Sequence, residues 1–539
     1  MVLKELLSTL SIEDLKWSCS TDWILLEKGF NERAIAENIS SQRLAKIILA
    51  FYGSGILDNI RLRQLLLLQL SKARIYELAN KSTEKVFDDP KINARNLANI
   101  RWSTKSPLVS VYRDELFIEG EYLPSIQIKT PMIEEISPHA LLPELFKYQE
   151  EIVNKALIAL INKPTRFLVQ LPTGSGKTRI MMELFARIKE KEFYDGKSST
   201  ILWLAHSSEL LEQAISTLKT VWGYKGANSI KILRFFGGFS LKSKELDDVF
   251  IFATLQKIGS FKNKSPRILN EMSNNLSLVV IDEAHKISAP TYKEALNDLV
   301  GQNTSVIGVT ATPGRTLFDD KKNTGLASIF DNKLLQPDLG KNPIETLRKL
   351  GVLSEVEHID IQTGLNFNLN FIESSFESDF TNKSLDKIAE SIERNKIITK
   401  TIKQEIDAGN PVIVFSCSVE HSKLLCAFLA VAGIKSSFID HTKSYGSRKK
   451  IINQFKEGTI DVIVNYGVLS TGFDAPRIKT VLITRPTTSI VLYSQMIGRG
   501  LRGEAVGGNK KCRVIDISDN FDKYGNLEEV YLIFSEFWH

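Results

Sequence analysis

Two hydrophobic textures divide the chain. Over residues 1 to about 100, apolar residues recur at helical spacing. "SQRLAKIILAFYGSG" and "IRLRQLLLLQLSKARIYELA" hold few breakers, and "SIEDL" sets Ser11 three positions before Asp14, the spacing of a capping box. This pattern predicts a packed helical domain. Residues 109–129, "VSVYRDELFIEGEYLPSIQIK", alternate and predict a hairpin or connector. From residue 145 short apolar, β-branched runs alternate with helical stretches: "RFLVQL", "TILWLA", "SIKILRFF", "VFIFAT", "LSLVVID" and "TSVIGVT". Strands of this kind separated by helices predict a parallel sheet covered on both faces. A polar stretch near 313–385 reads as loop-rich. The texture then resumes in "PVIVFS", "KSSFID", "IDVIVN", "KTVLIT" and "CRVIDI", the strands of a second such unit. The expected fold class is α/β with two tandem parallel-sheet domains behind a mainly helical one. The expected boundaries are 1–135, 136–340 and 341–539.

Composition narrows the setting. A chain of 539 residues has room for about three domains. Its 43% hydrophobic and 24% charged content is that of a globular protein. The net charge of +6 permits nucleic acid as a partner without demanding it. Acidic and basic residues nearly balance in the first 100 positions, so no basic arm is visible there. Cys19, Cys417, Cys426 and Cys512 are scattered without C-x-x-C spacing, which predicts neither a zinc site nor a disulfide frame. The N-terminus lacks the apolar core of a signal peptide, and "LLLLQL" is too short to cross a bilayer. The expectation is a soluble cytoplasmic protein with no membrane partner.

The stretch "VQLPTGSGKT", 169–178, carries the first candidate chemistry. It follows a strand and opens a helix, as a phosphate loop must. Leu171 stands where the strict pattern has glycine. Thr173, Gly174, Ser175 and Gly176 would wrap backbone N–H groups around a phosphate, helped by the helix N-terminus. Lys177 would reach the β- and γ-phosphates, and Thr178 would hold Mg²⁺. In "LVVIDEAHK" an apolar strand delivers two carboxylates at its carboxyl end, where open α/β sheets place ligands. Asp282 suits Mg²⁺ and Glu283 suits a general base for an attacking water.

With these two motifs in place, the order of the remaining stretches resembles the superfamily 2 DEAD/DEAH-box helicases and translocases. "LFKYQEE" is similar to the motif before the phosphate loop, with Gln149 as adenine reader. "LWLAHSSELLEQA" resembles motif Ia, "ATLQK" motif Ib, "VTATP" motif III and "VIVFSCSVEHSKLL" motif IV. "NYGVLSTGFDAP" resembles motif V and "YSQMIGRGLR" motif VI. The likeness covers about residues 145 to 520. It implies two RecA-like domains with ATP and Mg²⁺ in the cleft between them, and movement on nucleic acid.

The resemblance also assigns residues. Arg499 and Arg502, three apart and expected on one helix face, would act as arginine fingers, with Gln495 one turn earlier. Gly472 and Asp474 would link the second domain to the nucleotide. Thr310 and Thr312 would couple the site to motion, and His285 would contact motif III or VI rather than a metal. His206, Ser207, Thr254, Ser416 and Thr471 are the expected nucleic-acid contacts, although Ser207 stands where the group often has Arg. "VTATP", "QMIGRGLR" and DEAH look more like the DNA-acting group, which includes restriction-enzyme motor subunits and RadD-like repair helicases, than like RNA remodellers. The expected function is an ATP-dependent DNA helicase or translocase in repair, restriction or phage defence. One alternative is an ATPase switch that clamps DNA and recruits a partner, such as a nuclease, through residues 1–135. Another is an RNA helicase.

Overall fold

The computed structural model describes residues 2–30, 39–124, 131–137, 144–161, 164–195, 199–226, 228–239, 241, 246, 248–288, 290–314, 320–365, 380–468, 476–487 and 489–518. The first of its two sheets contains β1 (Ile133–Ile136), β2 (Arg166–Gln170), β3 (Thr200–Ala205), β4 (Ile230–Phe235), β5 (Val249–Thr254), β6 (Leu276–Asp282), β7 (Ser305–Thr310) and β8 (Leu334–Leu335). Their order is β1-β4-β5-β3-β6-β7-β2-β8, parallel except for β1 against β4. The second contains β9 (Glu355–Gln362), β10 (Val412–Phe415), β11 (Ser436–Ile439), β12 (Val462–Asn465), β13 (Thr480–Ile483) and β14 (Lys511–Ser518). Its order is β11-β12-β10-β13-β14-β9, parallel throughout. These are the two RecA-like domains. β3 and β7 are buried at every position, as strands covered on both faces must be.

The helical N-terminal domain has the expected capping chemistry. The Ser11 hydroxyl accepts the Asp14 N–H at 3.0 Å. Ser40, Asn59, Ser71 and Asp89 cap the next long helices in the same way. This domain is seated on the second RecA-like domain. Helix Ser41–Tyr52 packs along helix Val419–Val431, and Phe30 stacks on Phe428 with ring centroids 4.4 Å apart. A Cβ on Gly29 would stand 2.5 Å from Leu424 Cδ1, so glycine permits the close approach.

Three expectations are corrected. Residues 108–115 are helical, not a hairpin. Leu108, Val111, Tyr112 and Leu116 are all buried, so the spacing that decides is the helical one and the alternation between them is incidental. Residues 125–130 of that stretch lie outside the described residues. Between 313 and 385 the chain forms helices Asp320–Ile329 and Pro343–Lys349 and strand β9. β9 alternates exposed and half-buried positions at a sheet edge, so it lacks the apolar run that betrays a central strand. Third, β1 straddles the expected boundary at 135/136, yet it belongs to the first sheet.

Candidate active site

Parallel order brings the carboxyl ends of β2, β6 and β7 together, because β7 pairs with both of the others. The phosphate loop leaves β2, and helix Lys177–Tyr194 follows it. Gly174 and Gly176 hold φ of +86° and +89°, where L side chains are strained. A Cβ on Gly176 would also meet Gln149 Nε2 at 2.6 Å. The loop is braced from below. The Tyr148 hydroxyl donates to Ser175 O at 2.6 Å, and Gln149 Nε2 donates to the same oxygen at 3.1 Å. Gln149 Nε2 also donates to the Tyr148 oxygen, and its Oε1 accepts the Phe146 N–H at 3.1 Å. In the structure the Gln149 amide thus braces the loop from below. Ser175 Oγ turns back onto Pro172 O at 2.7 Å. Leu171 is fully buried, and its N–H donates to Thr310 O. The position that breaks the strict pattern is therefore the last rung of a ladder.

Motif II sits at the end of β6. Glu283 holds φ of +51°, a left-handed backbone that costs roughly 1–2 kcal/mol for an ordinary residue. The Glu283 N–H donates to Asp282 Oδ1 at 3.0 Å, and Glu283 O accepts the Lys286 N–H at 3.0 Å. Burial and the Glu283 carboxylate push Asp282 up from its ordinary range. Burial pushes Glu283 up too, but the groups around it, His285 first and then Lys177 and Lys286, outweigh it and hold that carboxyl low. Burial, with Arg499 nearby, lowers the Lys177 ammonium, and Glu283 and Asp282 oppose the shift. One acidic pair thus faces one lysine and an arginine from the other domain.

Motif III lies against the Glu283 side of the cleft. His285 Nδ1 and Thr310 Oγ1 lie 3.0 Å apart, and His285 stands 3.5 Å from Glu283. The Thr310 hydroxyl donates to Thr312 O and accepts the Thr312 N–H. His285 therefore meets motif III, as expected.

Motif VI approaches from the second domain. Gln495 is on helix Ile490–Ile497, but that helix stops there, with Gly498 as its cap. Arg499 follows in a turn, its Nε donating to Gln495 O at 3.2 Å. Arg502 sits in a bridge with Leu353. The two arginines therefore do not share a helix face, because the helix ends at Ile497, before either of them. Across the cleft, Leu353 and Gly498 pack on Gly174 and Thr173, and Arg448 pairs with Glu209.

Comparison with known proteins finds two family matches. The family described as "Type III restriction enzyme, res subunit" matches residues 142–315, and "Helicase conserved C-terminal domain" matches 393–504. Together they span more than half of the chain. The chain belongs to the superfamily 2 helicases.

Among curated relatives of this helicase, the Saccharomyces cerevisiae protein IRC3, an ATP-dependent helicase by name, is 26% identical over 381 residues. That match covers 69% of this chain and 51% of the yeast protein. The Escherichia coli type I restriction enzyme EcoAI endonuclease subunit is 22% identical over 400 residues, covering 68% of this chain and 45% of that protein. The helicase thus spans about half the length of these relatives. A solved fragment of an HsdR subunit of a type I restriction enzyme from Vibrio vulnificus is 19% identical, with a TM-score of 0.49, over 71% of this chain and 65% of that one.

The expected strand contacts of the helicase divide. Ser207 and Thr254 cap the helices that leave β3 and β5, accepting the N–H groups of Leu210 and Lys257. Both stay half-buried at the sheet's carboxyl edge. Ser416 is a correction. It is buried, its hydroxyl 2.6 Å from Ser422 Oγ and 3.1 Å from Asn465 O, so it braces the motif IV turn. His206 turns inward, its Nε2 3.0 Å from Lys286 Nζ. Thr471, Gly472 and Asp474 lie outside the described residues. Sequence reasoning missed Tyr148, Gly498 and Lys286. Lys286 was the most visible of the three, since it ends "DEAHK". None of the described helices is long and apolar enough to cross a membrane.

Proposed function

We propose that this helicase hydrolyses ATP between its two RecA-like domains and uses the cycle to move on or unwind DNA. The supporting observation is the convergence at one cleft of Lys177, Asp282 and Glu283 from the first domain and Arg499 from the second. The loop suits a nucleotide, since Gly174 and Gly176 hold the positive φ that lets successive backbone N–H groups form a cradle for a phosphate. Thr178 and the buried Asp282 are a hard oxygen donor pair that would hold Mg²⁺, and the ion would supply positive charge against the phosphates. Glu283, held ionised and thrown forward by its left-handed backbone, accepts a proton from the attacking water. Lys177 grips the terminal phosphates. Arg499 completes the site only when the domains close, and Arg502 stands beside it as a second finger. Ser207, Thr254 and the helix N-termini they cap offer N–H groups to strand phosphates.

DNA is preferred over RNA because motifs II, III and VI are closer to those of the restriction-type motors. The E. coli relative carries such a name. The test is ATP turnover with Mg²⁺ in the presence of single-stranded DNA, duplex DNA, forked DNA or RNA. Stimulation by DNA above RNA supports the reading. Stimulation by RNA alone makes the protein an RNA helicase. No stimulation by any of them refutes a motor. Strand displacement, assayed beside turnover, separates a motor from a switch that clamps without unwinding.

A further inference from the structure

β3 and β6 are neighbours, with Leu204 opposite Ile281. The end of β3 therefore lies beside Asp282 and Glu283. The next residues along β3 are His206 and Ser207, and Ser207 caps helix Ser208–Lys225. Lys286, in the short turn Ala284–Ser288 after motif II, reaches back and places Nζ 3.0 Å from His206 Nε2. An ammonium can only donate, so Nε2 accepts and the imidazole is neutral with its proton on Nδ1. Lys286 thus stands between two sites. Its charge helps to hold Glu283 ionised, and its hydrogen bond ends on the residue adjoining the helix N-terminus offered to a strand phosphate.

We infer that Lys286 is a positioning residue whose bond to His206 transmits occupancy of the Ser207 helix N-terminus to the general base Glu283. A phosphate seated on that N-terminus moves the His206–Ser207 turn. His206 moves Lys286, and Lys286 re-aims the Glu283 carboxylate. The link is short: the Lys286 N–H is bonded to Glu283 O at 3.0 Å, and from there one side chain, one hydrogen bond and one residue of backbone reach Ser207. It needs a neutral acceptor at 206 and a cationic donor at 286, and no other feature of either residue. The inference rests on the nucleic-acid-stimulated ATPase reading.

The test measures kcat for ATP with and without a saturating single-stranded oligodeoxynucleotide and takes the ratio. In Lys286→Met and in His206→Phe that ratio should fall about tenfold, within the usual span of coupling energies. The double variant should lose no more than either single one, because both break the same link. Lys286→Arg and His206→Gln, which keep a cation and a neutral acceptor, should retain most of the ratio. Damage to folding alone would lower both rates together and leave the ratio unchanged. If Lys286→Met does not fold, His206→Phe against His206→Gln decides the matter. Unchanged ratios in the single variants, or additive losses in the double one, would overturn the link while leaving the ATPase reading intact. A wild-type protein with no stimulation would remove that reading, and the link with it.

Discussion

Gly498 of motif VI lies so close to Thr173 of the phosphate loop that a Cβ on it would stand 2.2 Å from Thr173 Cγ2. This contact joins the two halves of the proposed ATP site, and glycine is required by the approach rather than by backbone conformation, since its φ of −54° is helical. Gly498→Ala should therefore separate stability from activity. Alanine favours the helical backbone by up to about 1 kcal/mol, so the thermal midpoint should hold or rise. Turnover with nucleic acid should fall at least about tenfold, or 1.4 kcal/mol of barrier, because closure is obstructed. Unchanged turnover would show that this closed contact is not used in the cycle.

Lys177→Ala and Glu283→Gln should each abolish turnover, and they should differ in binding. Glu283→Gln keeps the shape of the side chain and should still bind ATP. Lys177→Ala loses the phosphate grip and should bind weakly. Nucleotide titration beside turnover checks both, and residual hydrolysis in Glu283→Gln would refute its role as the base.

Arg499→Ala should lower kcat by roughly 10³-fold or more, the usual worth of an arginine finger, with little change in ATP affinity. Arg499→Lys should not restore it, because lysine cannot present a planar fork. A loss confined to affinity would place Arg499 outside the transition-state contacts.

His421 gives the pH dependence of stability. It is fully buried, its Nδ1 accepting the Cys417 N–H at 3.1 Å and its Nε2 lying 2.9 Å from Asn395 Oδ1. Burial, with Arg394 nearby, pulls it down to about 3. The unfolded chain binds that proton near pH 6.5, while the folded chain refuses it until about 3. Its stabilising effect is therefore full above 6.5 and declines as pH falls toward 3, by about 1.4 kcal/mol per unit. Denaturant titrations across this range should show that slope, and His421→Asn should flatten it. An unchanged slope would assign the proton uptake elsewhere.

The seat of the N-terminal domain should be measurable. Phe428→Ala removes the ring stacked on Phe30 and should cost about 3 kcal/mol, the low end for a buried aromatic. Because the loss falls at the joint between two domains, it should broaden or split the thermal transition. A single sharp transition at the wild-type midpoint would show that the seat contributes nothing.

What the sequence by itself determined here is chemistry held within one element and its neighbours. Periodicity fixed β2 to β7 and β10 to β14, since a strand buried on both faces reads as an apolar run. Glycines, a lysine and two carboxylates after such runs marked the cleft proposed for ATP. The edge strand β9 escaped because half of it faces solvent, and helix 108–115 escaped because its apolar spacing also reads as alternation. The tertiary structure decided whatever depends on two distant segments meeting. It put Gln149 under the phosphate loop, stopped the motif VI helix before Arg499 and turned Ser416 into the protein. It also carried the N-terminal helices onto the second domain, and it brought Lys286 against His206, 80 residues apart in the chain. Local sequence sets backbone preference and the chemical type of each side chain. Which side chains share a cleft is set by strand order, and strand order follows from burying many apolar faces at once.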